Sequence, residues 1–96
     1  MNSKVLEQPK QTPVELLFFW GSWCPVCKQM EQILHQIIEV PVIKINVDRH
    51  PTIASTYNVL GTPTWILLDK YNNEIRRTTG AISTQHLQQF IDGDNI

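Results

Sequence analysis

The chain has 96 residues, of which 42% are hydrophobic and 18% charged, and its net charge at pH 7 is −1. This size and composition predict one globular domain with a single modest core, and the near-neutral charge excludes the basic surface of a nucleic-acid-binding protein. No apolar run has the length of a membrane-spanning helix or of a signal-peptide core. We therefore expect a cytoplasmic protein without membrane or nucleic-acid partners, and a periplasmic location stays open if a signal peptide has been removed.

The first half of the chain predicts a strand and a helix behind a polar arm. Residues 1–13 are polar and proline-containing, which indicates an N-terminal arm ahead of one domain over residues 14–96. Residues 14–20 are almost continuously apolar, as in a strand that is buried on both faces. Residues 25–39 carry apolar side chains at steps of three and four, which predicts a helix that Pro41 ends.

The second half predicts the remaining strands and helices. Residues 42–48 are rich in β-branched side chains, which indicates a strand parallel to the first, reached by a right-handed crossover. Later patterns predict a short helix over 51–57, strands over 65–68 and 75–79, and a last helix that Ser83 or Thr84 caps and Gly93 ends. The order βαβαββα predicts an α/β fold with a mixed central sheet of about four strands, flanked by helices on both faces.

Both cysteines lie where the first predicted strand passes into the first predicted helix. Cys24 and Cys27 are three apart, so in a first helical turn their Cα atoms should be about 5–6 Å apart, within reach of a reversible disulfide. Pro25 suits the first helical position and disfavours a helical conformation for Cys24, which places Cys24 at the N-cap. Unpaired backbone N–H groups there stabilise a thiolate. We therefore expect Cys24 to attack and the more buried Cys27 to resolve.

Two other interpretations of the cysteine pair stay open. A zinc site would need two more ligands, and the three histidines, His35, His50 and His86, are scattered without a paired ligand spacing. Zinc could still bind if a partner protein supplied the missing ligands. Two inert cysteines in the core would also fit the spacing. We expect no metal in the isolated chain.

The chain resembles the thioredoxin superfamily over about residues 14–92. The active-site block of that family is similar to residues 19–28, FWGSWCPVCK, and the second strand of its βαβ unit is similar to residues 44–48, KINVD. Its cis-proline loop resembles residues 61–64, GTPT, and its glycine loop beside the substrate groove resembles Gly80-Ala81. A Cys-x-x-Cys motif alone would be weak evidence for this resemblance. The GTPT segment at the matching point of the βαβαββα order makes the resemblance specific.

The resemblance implies a role for each matching residue. Cys24 would be the nucleophile and Cys27 the resolving cysteine, and Pro63 would be a cis-proline packed against their disulfide. The backbone of Thr62 would pair with an extended segment of the substrate, as in β-augmentation. The other substrate contacts would come from Trp23, Pro25, Val26, Gly80 and Ala81.

Three features depart from the family's pattern. Phe18 stands where the family's reductases commonly carry a buried acid, and an apolar side chain cannot accept the proton of Cys27. The dipeptide between the cysteines is Pro25-Val26 instead of Gly-Pro, which is similar to some periplasmic members. Residues 1–13 are too short for the usual first strand and helix, so we expect an N-terminally trimmed fold.

These observations predict a thiol–disulfide oxidoreductase. Its Cys24–Cys27 dithiol would cycle by thiolate attack on protein disulfides, with reduction as the favoured direction. We expect a monomer that needs no bound cofactor and depends on a separate recycling reductase. The alternative is a non-enzymatic thioredoxin-fold module that binds a partner, or senses redox state, in the groove beside Pro63.

Overall fold

A computed structural model describes residues 12–37 and 39–93 of the chain. The elements are β1 (Glu15–Trp20), α1 (Pro25–Leu34), β2 (Val42–Asn46), α2 (Pro51–Thr56), β3 (Thr64–Leu68), β4 (Glu74–Thr79) and α3 (Thr84–Asp92). This order confirms the predicted βαβαββα arrangement. Nearly all of the predicted N-terminal arm lies outside the described residues, so its boundary with the domain stays a prediction.

The four strands form one mixed sheet in the order β2-β1-β3-β4. β1 runs parallel to β2, as the crossover argument predicts, and β3 is antiparallel to β4, as the hairpin argument predicts. β1 also pairs with β3, in the antiparallel direction. The register places Phe18 of β1 opposite Lys44 of β2 and Trp65 of β3. The carboxyl ends of β1 and β2 and the amino end of β3 therefore meet at one edge of the sheet, where α/β proteins place their chemistry.

Apolar side chains on both faces of the sheet are covered by helices. Alternate residues of β1 and β3 point to one face, where they join side chains of α1 and α3 in the larger core cluster. The other alternate residues form a smaller cluster with Ala54 of α2. All four central residues of β1 are buried, which confirms the prediction of a strand buried on both faces.

The first helix ends earlier than the periodicity predicts. α1 ends at Leu34 instead of continuing to about residue 39. The N–H groups of residues 35, 36 and 37 bond to carbonyls three residues back, at 3.4, 3.1 and 3.1 Å, which tightens the chain into turns. These turns still bury Ile37 and Val40 in the core and bring the Pro41 carbonyl to the N–H of Leu16, at 2.9 Å. A helical spacing of apolar residues therefore continues past the end of the helix.

The structure confirms the residues predicted to begin and end α3 and to form the turn between β3 and β4. The Ser83 hydroxyl accepts a hydrogen bond from the N–H of His86 at 3.0 Å, so Ser83 is the N-cap of α3. Gly93 ends that helix in the left-handed conformation, with φ of 79°. Asn72 adopts a φ of 65° in the turn between β3 and β4. β2 ends at Asn46, two residues earlier than predicted. The side-chain oxygen of Asn46 accepts hydrogen bonds from the N–H groups of residues 48 and 49, which turns the chain away from the strand direction.

No helix within the described residues combines the length and apolar character that crossing a bilayer requires.

Candidate active site

The cysteine pair occupies the junction between β1 and α1. Cys24 is the N-cap of α1, with φ of −99° and ψ of 103°, and Pro25 takes the first helical turn as predicted. The backbone N–H of Cys27 donates to Sγ of Cys24 at 3.2 Å. An N–H at the positive end of a helix thus points at the sulfur that the sequence assigns as the nucleophile, and such a contact stabilises a thiolate.

The two cysteines are joined by a disulfide whose Cα atoms are 5.3 Å apart, as the helical spacing predicts. Cys27 is 2% exposed and Cys24 is 6% exposed, so the cysteine predicted to resolve is the deeper of the two. Cys24 follows Trp23, which is 73% exposed. An exposed indole therefore directly precedes Cys24 in the chain.

A second loop lies against the disulfide. The Thr62–Pro63 peptide bond is cis, as the resemblance implied, and Pro63 is buried. The carbonyl oxygen of Thr62 lies 3.9 Å from Sγ of Cys24. The Thr64 hydroxyl donates to the Gly61 carbonyl at 2.6 Å and closes the loop on itself. The loop thus holds a backbone carbonyl beside Sγ of Cys24.

The glycine loop is tied to the proline loop. The N–H of Gly80 donates to the Pro63 carbonyl at 2.9 Å. The indole N–H of the fully buried Trp65 donates to the Gly80 carbonyl at 3.0 Å. The segments before β3 and after β4 are therefore joined by two hydrogen bonds.

The predicted substrate-binding residues differ in exposure. Trp23, Pro25 and Ala81 are exposed, whereas Val26 is half-buried and packs against the core cluster. The structure brings the Thr62 carbonyl to Cys24, and Gly80 to the Pro63 carbonyl. The substrate-binding roles of all seven residues, and the catalytic roles of the two cysteines, remain predictions.

Polar side chains at the end of β2 support the loop before the cysteines. The N–H of Ser22 donates to the Asp48 carboxylate at 3.2 Å, and the amide of Asn46 donates to the Ser22 hydroxyl at 3.0 Å. Asn46 is 8% exposed. These two bonds hold Ser22, in the loop between β1 and the cysteines, against the end of β2.

Phe18 makes the environment of Cys27 apolar. Phe18 is 1% exposed and belongs to the same core cluster as Cys27. Its ring centroid is 4.7 Å from that of Trp65, at an interplanar angle of 44°. The pKa values of Glu31 and Glu74 are lowered, in each case first by a hydrogen bond from a cationic side chain, Lys44 and Arg77 respectively.

Four residues beside the site were missed by the sequence reasoning. A cavity of about 150 Å³ is lined by Trp23, Val47, Val59, Leu60, Gly61 and Thr62. Only Trp23 and Thr62 of these were predicted to contact a substrate. The one available signal was the apolar pair Val59-Leu60 directly before Gly61-Thr62-Pro63, and no periodicity connects that pair with Val47.

Within residues 12–37 and 39–93, no group of three or more His, Cys, Asp or Glu side chains is placed to hold a metal ion.

Comparison with known proteins identifies relatives over most of the chain. The family model described as Thioredoxin matches residues 2–93. Thioredoxin of Buchnera aphidicola subsp. Acyrthosiphon pisum is 36% identical over 87 residues, which cover 84% of this chain and 78% of that protein. Thioredoxin C-3 of Corynebacterium nephridii is 35% identical over 81 residues, which cover 80% of this chain and 55% of that protein. The chain thus spans only about half the length of Thioredoxin C-3.

Solved structures show the same fold. A mutant thioredoxin from Halobacterium salinarum NRC-1 matches with a TM-score of 0.79 and 27% identity, over 85% of this chain and 74% of that one. Trxlp from Edwardsiella tarda EIB202 matches with a TM-score of 0.74 and 28% identity, over 82% of each chain.

A disulfide at a helix start, facing a cis-proline loop at the edge of a mixed sheet, defines a thiol–disulfide oxidoreductase with a thioredoxin fold. Because the family model spans nearly the whole chain, the protein belongs to the thioredoxin family.

Proposed function

We propose that the protein reduces disulfide bonds in other proteins, with Cys24 as the nucleophile and Cys27 as the resolving thiol. The observation that carries the proposal is the placement of Sγ of Cys24. It accepts an N–H bond at the start of α1, lies 3.9 Å from the Thr62 carbonyl and follows an exposed tryptophan. A substrate segment can therefore pair with the proline loop while its disulfide meets the sulfur.

The reaction has two exchanges. The Cys24 thiolate attacks one sulfur of the substrate disulfide, a mixed disulfide forms and the other substrate sulfur leaves as a thiolate that takes up a proton. The Cys27 thiol loses its proton to solvent and attacks Sγ of Cys24, which releases the second substrate thiol. The substrate gains two electrons and two protons, and the enzyme is left as the observed disulfide. A separate dithiol reductant then restores the enzyme.

The proton of Cys27 has no acid beside it in the described core, because Phe18 occupies the strand position before the site. We propose that solvent accepts this proton, so the second exchange is the slower one. The mixed disulfide should then accumulate during turnover.

The test is turnover of a model protein disulfide with dithiothreitol as the reductant. The Cys24→Ser variant should lose all activity above the dithiothreitol background. The Cys27→Ser variant should instead form a stable mixed disulfide that mass spectrometry detects. If Cys24→Ser is as active as the parent, the proposal is wrong. Partner binding that survives loss of both cysteines, together with no turnover by the parent, would support the non-enzymatic alternative.

We further propose that the protein acts as a monomer in a reducing compartment, with the cytoplasm as the first candidate. The presence of only two cysteines supports the reducing compartment, because secreted domains that are held together by disulfides contain more cysteines. A recycling reductase is required by the stoichiometry of the reaction. Sedimentation and the redox state of Cys24 and Cys27 in intact cells test these points.

A further inference from the structure

We infer that Met30 holds the glycine loop in position against α1, the helix that carries both cysteines, and thereby controls how well an extended substrate is bound. Met30 acts through the loop and not on the reacting sulfurs, so it is a positioning residue. The inference rests on the proposed function, because it assigns a further residue to the same reaction.

The contact that carries the inference is a hydrogen bond from the glycine loop to a sulfur of α1. The backbone N–H of Ile82, which directly follows Gly80 and Ala81, donates to Sδ of Met30 at 3.4 Å. A thioether sulfur is a weak acceptor, but the long unbranched side chain of methionine adapts to the space available. The two residues are 52 positions apart in the sequence, so the bond joins separate parts of the fold.

The Met30 side chain is itself held by the core. It is 8% exposed and belongs to the same core cluster as Cys27. Cys27 lies three residues earlier on α1, and residues three apart on a helix lie on the same face. Ile82 also packs against this cluster. A buried side chain on the cysteine-bearing helix therefore fixes the backbone of the glycine loop.

Two other bonds of the glycine loop lead away from α1. The N–H of Gly80 donates to the Pro63 carbonyl at 2.9 Å, and its carbonyl accepts from the indole N–H of Trp65 at 3.0 Å. These bonds fix the glycine loop relative to the proline loop, and the bond to Met30 fixes it relative to α1. Without the sulfur, both loops could shift together relative to Cys24.

This arrangement predicts an effect that depends on the substrate. An extended substrate segment is expected to contact residues of both elements, namely Pro25 and Val26 of α1 and Gly80 and Ala81 of the glycine loop. A change in the spacing of the two elements therefore weakens the binding of an extended chain. A small disulfide without peptide groups cannot make these backbone contacts, so its rate depends on the Cys24 thiolate alone.

The experiment replaces the sulfur with a CH₂ group by producing the protein with norleucine in place of methionine. The chain contains two methionines, Met1 and Met30, so Met30 is the one internal position that changes. The proteins are reduced, freed of the reductant and mixed with one of two disulfides. The first is the disulfide-linked homodimer of a serine-rich peptide with one cysteine, and the second is hydroxyethyl disulfide. We expect the second-order rate constant for the peptide to fall about threefold, the size of one weak hydrogen bond, and that for hydroxyethyl disulfide to stay at its parental value.

Met30→Leu, produced once with methionine and once with norleucine, is the matched control for Met1. The two preparations differ only at Met1 and should react alike, with the peptide rate again lowered and the rate of the small disulfide kept. Hydrogen exchange gives a readout that does not depend on the reductase reaction. The Ile82 amide should lose its protection when norleucine replaces Met30, because its acceptor is gone.

The outcomes separate this inference from the proposed function. If the norleucine protein reduces both disulfides as fast as the parent, or keeps the Ile82 amide protected, the inference is wrong and the reductase proposal stands. An equal slowing of both disulfides would also overturn the inference, because the sulfur would then support the whole site and not the binding of an extended chain. If the parent reduces neither disulfide, the reductase proposal fails and this inference fails with it.

Discussion

Replacement of Trp65 by phenylalanine tests whether the buried indole secures the glycine loop. Trp65 is fully buried, its ring packs on Phe18 and its N–H donates to the Gly80 carbonyl at 3.0 Å. Phenylalanine keeps most of the ring contact but removes the donor and part of the volume. The lost hydrogen bond to a half-buried carbonyl costs about 1 kcal/mol, and the space left behind costs about 1–2 kcal/mol.

We therefore expect Trp65→Phe to lower the free energy of unfolding by about 2–3 kcal/mol. For a domain of this size, the loss corresponds to a fall in Tm of about 10 °C or more. Urea denaturation of the oxidised protein, followed by far-UV circular dichroism, measures the change without relying on tryptophan fluorescence.

The matched control is Trp20→Phe. Trp20 is half-buried, and its indole N–H has no hydrogen-bond partner among residues 12–37 and 39–93. This change should cost about 1 kcal/mol through lost packing alone. If the two variants differ by less than about 0.5 kcal/mol, the bond to Gly80 contributes nothing beyond packing and the reasoning is refuted.

Three further predictions concern helix ends and one surface ion pair. Ser83→Ala removes the N-cap of α3 and should lower the free energy of unfolding, measured by urea denaturation, by about 1 kcal/mol. Ser83→Asp should keep most of the parental stability, and an equal loss in both variants would contradict the capping role. Gly93→Ala should lower the free energy of unfolding by about 1–2 kcal/mol, because the φ of Gly93 is 79° and a Cβ would lie 3.0 Å from a guanidinium nitrogen of Arg76. Unchanged stability would contradict this prediction. The hydrogen bond from Lys44 lowers the pKa of Glu31, so the pair stabilises the fold above the ordinary pKa of a glutamate and loses this effect as pH falls through the lowered pKa. Lys44→Met should lower the free energy of unfolding by at most about 0.5 kcal/mol at pH 7, because both side chains are about half exposed. In chemical denaturation, the difference between Lys44→Met and the parent should vanish in acid. A difference that persists in acid would show that lost packing is its cause.

Features that depend on a few neighbouring residues were predictable from the sequence. The 5.3 Å separation of the Cys24 and Cys27 Cα atoms follows from the helical spacing, and Pro25 marks the start of the helix. The Ser83 cap and the Gly93 stop follow from hydrogen bonding and backbone freedom within one turn. The parallel pairing of β1 and β2 follows from the handedness of a strand–helix–strand unit.

The end of α1 was not predictable from the apolar spacing. Ile37 fits the apolar spacing of a longer helix, yet it is buried by turns that precede the bond between Pro41 and Leu16. By leaving the helix early, the chain gains the backbone hydrogen bond from the N–H of Leu16 to the Pro41 carbonyl. Periodicity cannot detect this, because the turn and a continued helix bury the same side chain.

The sequence by itself determined the elements, their order and the reactive pair, because each depends on interactions within a turn or a strand. The resemblance to the thioredoxin superfamily implied that Pro63 lies beside the pair, and only the tertiary structure decided how the surrounding segments contact one another. The bond from Trp65 to Gly80 joins two strands, and the cavity joins Val47 with Leu60 across two loops. Such neighbours are set by sheet register and by packing between distant segments, and no local pattern of residues encodes either.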